Sequence, residues 1–132
     1  FLINKCPSFI YSTALPFSLL ASIYSSIKII PKLKNERKKL IKNSFYLRRI
    51  LKKENFNIGN SQTNIIPIII GDSKKTISIS KGLERKGFYV APIRPPSVSP
   101  NSSRLRISIS SCHSQDNIKK LFNSLKMFKN RI

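Results

Sequence analysis

Residues 65–93 read IIPIIIGDSKKTISISKGLERKGFYVAPI. Ile65 to Ile70 form a short apolar run closed by Gly71-Asp72, which reads as a buried strand. Proline has no N–H to give to a ladder, so Pro67 belongs at an edge or at a point without a ladder bond. Phe88 to Ile93 is a second strand signal, ended by Pro95-Pro96. The stretch between them carries two patterns at once. Thr76 to Ser80 alternates as a strand does, whereas Ile77, Leu83 and the Lys86-Gly87 ending suit a helix with a glycine stop. On these residues alone the two readings are even.

Outward from this stretch the pattern is clearer. Arg104 to Ser110 alternates Leu105, Ile107 and Ile109 against Arg104, Arg106 and Ser108, a strand with one apolar face. Ser114 or Asp116 can cap a last helix whose stripe is Ile118, Leu121, Phe122, Leu125 and Phe128. Upstream, residues 55–64 are polar and form a loop. A helix from about Leu33 to Lys53 carries the stripe Leu33, Leu40, Ile41, Leu47 and Leu51. Its other face holds Lys38, Lys39, Lys42, Arg48, Arg49 and Lys52, most simply a solvated surface. Before it, Phe17, Leu20, Ala21, Tyr24 and Ile27 recur at helical spacing, with Pro16 placed to start that helix and Pro31 to end it. Helices followed by strand–helix–strand–strand–helix make an α/β layer domain.

Composition sets bounds on function. A chain of 132 residues with 40% hydrophobic content is long enough to bury a core. Its 25 Lys and Arg against 5 Asp and Glu give a net charge of +20, which would ordinarily raise a polyanionic partner. The lysines, however, accompany an excess of Ile, Asn and Ser, and drift toward A/T-rich codons accounts for all four together. We therefore expect no nucleic-acid partner. Residues 6–27 carry no charge, but Pro7, Pro16 and hydroxyls such as Ser12, Thr13, Ser25 and Ser26 dilute them below a membrane span, and no secretory cleavage pattern follows. Cys6 and Cys112 match no metal or redox spacing and read as reduced thiols. A cytoplasmic protein with no metal and no membrane partner is the expectation. The opening Phe1 falls mid-pattern, which reads as a fragment or an incomplete reading frame.

No composed catalytic constellation is visible, but three local features could bind a ligand. Arg104-Leu105-Arg106 puts two guanidinium groups on one face of a strand, where an arginine can hold a carboxylate through parallel hydrogen bonds. Ile93-Arg94-Pro95-Pro96-Ser97-Val98 is a stiff turn that could present the Ser97 hydroxyl. Tyr11-Ser12-Thr13-Ala14-Leu15-Pro16 places hydroxyls just before a helix, where phosphate oxygens can be received. A surface arginine, an ordinary proline loop and plain helix capping are the corresponding unremarkable readings.

These features occur in the same order in the α-oxoamine synthase family of fold-type-I pyridoxal-phosphate enzymes. Phe9 to Pro16 resembles that family's F-I-Y/F-S/T-T-A/S-L-P segment, and Ile65 to Asp72 its I-x-P-x-I-x-G-D strand. Gly87-Phe88-Tyr89-Val90 with Ile93-Arg94-Pro95-Pro96 is similar to G-F-x-V-x-x-I-R-P-P-T-V-P. Arg104-Leu105-Arg106-Ile107 with Ser111-Cys112-His113 resembles R-L-R-I-x-x-S-A-x-H. The likeness spans nearly the whole chain, and it implies a helix over residues 73–86. It further implies the C-terminal domain of a fold-type-I transferase: a small, mainly antiparallel sheet packed with helices and preceded by a long linking helix. Residues 1–30 would be the end of the large domain and the start of the connecting helix, and residues 31–132 the small domain.

The I-R-P-P stretch is typical of the branch that condenses L-alanine with a pimeloyl thioester, losing carbon dioxide; the glycine acetyltransferase branch differs there. By this resemblance the cofactor is pyridoxal 5'-phosphate and Arg106, rather than Arg104, grips the substrate carboxylate. Ser97 stands where the family has a threonine in the substrate pocket, so a hydroxyl is kept and a methyl lost. Thr13 would reach the cofactor phosphate of a neighbouring subunit in a homodimer, and His113 would be structural. The family's Schiff-base lysine lies in S-x-x-K-A-x-G-G, and nothing here resembles it, so the chain by itself is expected to be inactive. A decayed remnant and a basic nucleic-acid-binding module are the alternatives. The latter ranks last, because no aromatic residues interleave with the basic ones as a stacking platform needs.

Overall fold

The computed structural model describes residues 1–131, the side chains of Leu2 and Arg131 excepted, and divides into two compact units at Lys34/Asn35. The first unit is helical: α1 (Leu2–Lys5), α2 (Pro7–Ile10), α3 (Phe17–Ile29) and a 3-10 turn at Ile30–Lys32. Pro16 is the N-cap of α3, its carbonyl accepting from the Leu19 and Leu20 amides, and Pro31 lies in the closing 3-10 turn. The Ser22 and Ser26 hydroxyls each donate to the carbonyl four residues back, so the helix absorbs them without bending to a new partner. The expected stripe forms but stays uncovered, with Phe17, Leu20, Tyr24 and Ile27 all exposed.

The second unit holds the core. It comprises α4 (Lys34–Lys53), β1 (Ile65–Gly71), α5 (Ser73–Glu84), β2 (Ala91–Ile93), β3 (Ser103–Ser108) and α6 (Gln115–Lys126). The strands form one antiparallel sheet in the order β1-β3-β2, which is the α/β arrangement the pattern implies. One sheet face, with Ile66, Ile68, Leu105 and Ile107, is buried together with Leu47 and Leu51 of α4, Ile79 and Leu83 of α5, and Ile118 and Leu125 of α6. Each such side chain withdrawn from water contributes on the order of 1.5–3 kcal/mol.

Four expectations change in detail. The inner stripe of α4 runs Leu40, Asn43, Ser44, Leu47 and Leu51, whereas Ile41 is exposed. Ile41 lies about 100° around the helix from Leu40 and about 120° from Leu47, so it cannot share their face. The loop after α4 is not wholly polar, because Phe56 and Ile58 enter the core. Phe88 to Val90 do not pair, and β2 is only Ala91–Ile93. β3 stops at Ser108, beyond which Ser110 and His113 close a turn.

The even reading at residues 73–86 resolves to helix. Asp72 caps α5 by accepting from the Lys75 amide at 2.6 Å, and Gly87, at φ 83°, follows its end. Helical twist then gathers Thr76, Ile79, Ser80 and Leu83 on one buried side, and the alternation of Ile77-Ser78-Ile79 loses its meaning. Gly82 is required by contact: a Cβ there would sit 2.6 Å from the Phe128 ring. Ser114, not Asp116, caps α6, accepting from the Asn117 amide.

Candidate functional site: the open face of the sheet

The register determines which strand positions face each neighbour. The Ile109 amide donates to the Asn64 carbonyl at 2.9 Å, so alternate pairs from there (Ile66 with Ile107, Ile68 with Leu105) carry the β1–β3 ladder bonds. Pro67 opposite Arg106 is therefore a pair without ladder bonds. The missing N–H of Pro67 points outward, as the Ile69 N–H does when it donates to the Asn57 carbonyl. Arg104 and Arg106 pair their backbones with Ile93 and Ala91 of β2 instead, and Pro92 again falls at an unbonded pair, opposite Leu105. Both prolines thus sit where the sheet asks for no donor.

Because directly opposed residues share a face, Arg104, Arg106, Pro67, Ile69, Ala91 and Ile93 lie together on the side away from the core. Arg106 is exposed at the middle of this face, on the central strand, and its guanidinium hydrogen-bonds no described residue. Arg104 is half-buried and its Nε donates to the Ser102 carbonyl at 3.0 Å. Of the two arginines, only Arg106 keeps its whole donor fork for an incoming carboxylate.

Ser97 lies on the β2–β3 connection, at the Arg104 end of the hairpin. Its amide donates to the Arg94 carbonyl at 3.0 Å, closing a turn, and its hydroxyl is exposed without a described partner. Thr13 belongs to the first unit and lies three residues before the α3 cap. No side chain caps α3, so the capping explanation of the Ser12-Thr13 hydroxyls does not hold, and the Thr13 hydroxyl is exposed. The structure thus joins Arg104 and Arg106 on one face and puts Ser97 on the adjoining loop.

His113 makes two contacts that tie the turn before α6. Its Nδ1 accepts from the Ser110 amide at 3.1 Å, and its carbonyl accepts from the side-chain amide of buried Asn43 at 3.0 Å. Sequence patterning missed Asn43, although a polar residue on the α4 stripe was the available sign. It missed the other polar ties that hold strand ends as well. Asn64 donates to the Ile109 carbonyl, Ser80 to the Val90 carbonyl, and the Ser73 and Ser103 hydroxyls bond each other at 2.8 Å. Among the described residues no cluster of His, Cys, Asp or Glu could hold a metal, Cys6 and Cys112 are free, and no helix is long and apolar enough to cross a membrane. The Glu54 carboxyl is displaced. Hydrogen bonds from Lys126 and then Lys129, at 3.0 and 3.3 Å, hold its carboxyl below the usual glutamate range.

Comparison with known proteins agrees with this frame. The model of the aminotransferase class I and II family matches residues 3–125. A relative from Desulfosudis oleivorans named "Putative 8-amino-7-oxononanoate synthase" is 38% identical over 121 residues, covering 92% of this chain and 31% of its own length. One of the same name from Bacillus anthracis is 40% identical over 119 residues, covering 90% and 30%. The chain thus spans about a third of the length of these relatives. Among solved structures, a Sphingomonas wittichii serine palmitoyltransferase superposes with TM-score 0.87 at 26% identity, over 98% of this chain and 33% of that one. The 8-amino-7-oxononanoate synthase of Francisella tularensis shares the fold with TM-score 0.81 at 21% identity, over 99% and 39%. The chain belongs to the aminotransferase class I and II family.

Proposed function

We propose that this chain is the C-terminal portion of a pyridoxal-phosphate-dependent acyltransferase, an 8-amino-7-oxononanoate synthase. The reaction condenses L-alanine with a pimeloyl thioester, with loss of carbon dioxide. The observation that carries the reading is Arg106, exposed on the open sheet face with an uncommitted guanidinium while its neighbour Arg104 is tied to Ser102. The shared name of the relatives supports the same branch.

In this reading Arg106 accepts the alanine carboxylate through two parallel charge-assisted hydrogen bonds, fixing the orientation of the Cα bonds. Ser97 lends its hydroxyl to the substrate pocket. Thr13 donates to the cofactor phosphate across a homodimer interface, its hydroxyl being left available by the uncapped start of α3. Bound pyridoxal phosphate supplies the electron sink for the carbanion that decarboxylation and acylation require. The S-x-x-K-A-x-G-G motif that would bond the cofactor is not in these residues, so the 132-residue chain alone has no turnover of its own. Residues 1–30 belong to the end of the cofactor-binding domain and residues 31–132 to the small domain, in a cytoplasmic enzyme.

The test is assay of the full-length protein carrying that lysine motif, with L-alanine and pimeloyl-CoA or a pimeloyl carrier protein. Formation of 8-amino-7-oxononanoate with a visible cofactor absorbance band is expected. Glycine being used in place of alanine would place the protein in the glycine acetyltransferase branch.

A further inference from the structure

The β2–β3 ladder opens beyond Ala91, where Tyr89 would be the next partner, opposite Ser108. By the register derived above, the Ser108 N–H and C=O face the β2 side, and among the described residues neither is paired. The strands diverge around a cavity of about 270 Å³. Val90, Ile107, Ile109, Ile118 and Leu121, all buried, form its apolar lining.

Polar groups of both kinds stand at this cavity, the Ser108 carbonyl and the Ser108 and Tyr89 hydroxyls beside three donors. His113 and Asn117 line it beside Ser108. The His113 Nδ1 is occupied as an acceptor of the Ser110 amide, so neutral His113 carries its proton on Nε2. The Oδ1 of Asn117 takes the Ser114 hydroxyl, which leaves the Nδ2 group to donate. The Ser108 N–H is a third donor. No acidic side chain lines the cavity, and the chain's +20 charge raises the local concentration of anions. Three donors beside an apolar lining suit a carboxylate with a short hydrocarbon tail.

We propose that this cavity is a binding site for a short aliphatic monocarboxylate, of about six carbons for a space equal to roughly nine water volumes. Its head would lie among Ser108 N–H, Asn117 Nδ2 and His113 Nε2, and its tail against Ile118 and Leu121. The site is separate from the open face that bears Arg106, since its apolar lining is on the core side of the sheet.

The experiment is titration of the isotopically labelled full-length protein with sodium hexanoate, followed through backbone amide and methyl resonances. Saturable shifts confined to Ser108, Ile109, Asn117 and the methyls of Ile118 and Leu121 are expected. Acetate, without the tail, and hexanamide, without the charge, should each bind at least about tenfold more weakly. Asn117→Asp keeps an oxygen toward Ser114 and favours the first turn of α6, so the fold is retained. It should nonetheless weaken hexanoate by about tenfold or more. Hexanamide binding as tightly as hexanoate, shifts spread over surface lysines, or an Asn117→Asp chain that binds as before would each overturn the proposal.

Discussion

Arg106 of β3 stands directly opposite Pro67 of β1, in a pair that carries no ladder bond. The proline therefore costs the sheet nothing, and the arginine sits where the two Cα atoms approach most closely, about 4.5 Å in such pairs. Two residues farther out, Arg104 faces Ile69 and spends one donor on the Ser102 carbonyl. The sheet thus makes two adjacent arginines unequal.

In the full-length enzyme, Arg106→Ala should raise the L-alanine KM by about 10- to 100-fold, the equivalent of a lost charge-assisted hydrogen-bond pair. Arg104→Ala should change KM little. Steady-state kinetics on both variants check this, and equal effects would show that the clamp was assigned to the wrong arginine.

Asn43 is buried and donates to the His113 carbonyl from 70 residues away, tying α4 to the turn before α6. Asn43→Ala should destabilise the fold by about 1–3 kcal/mol, because the part-buried His113 carbonyl loses its donor and the buried Asn43 side chain leaves a gap. Urea denaturation of the variant measures it.

At Gly82 two effects oppose each other. Alanine is favoured over glycine within a helix by about 1 kcal/mol. Its methyl, however, would overlap the half-buried Phe128 ring, and overpacking typically costs about 1–3 kcal/mol. Gly82→Ala alone should lower the Tm, while in a Phe128→Leu background it should be neutral or stabilising. Thermal melts of the double-mutant cycle decide it.

Glu54 links the end of α4 to Lys126 and Lys129, and its folded-state carboxyl is held below its ordinary value of 4.5. A depressed folded value means that this stabilisation is fully present above the unfolded value and is lost as pH falls through the folded one. The effect should be small, since the groups are solvated and salt-screened. Protection of the amides at the end of α6, taken as the exchange rate relative to the intrinsic rate at each pH, should fall as the pH drops below the ordinary value of 4.5, and Glu54→Gln should flatten that dependence.

Local chemistry was legible wherever a single element decides the outcome. The cap candidate at Ser114, the glycine after α5, the proline at Pro67 and the stripe of α6 follow from hydrogen-bonding capacity and helical or strand period. These are properties of neighbours along the chain. The pairing of Arg104-Leu105-Arg106 on one face with Leu105 buried was legible on the same ground, because strand alternation alone requires it.

What the sequence could not decide is where elements meet. The 73–86 stretch had two valid periods, and burial of Thr76, Ile79, Ser80 and Leu83 against the sheet, with Asp72 capping, selects the helix. Asn43 reads as a surface residue until α4 meets His113, and Phe56 and Ile58 read as loop until the core closes over them. Arg104 and Arg106 are equivalent in a strand pattern, and the bend of the chain that brings the Ser102 carbonyl, two residues back, within reach of the Arg104 Nε separates them. Alternation supplies the face on which a side chain lies; the hydrogen bonds of Asn43 to His113 and of Asn64 to Ile109 join partners distant in sequence, which meet only once the helices and the sheet have packed.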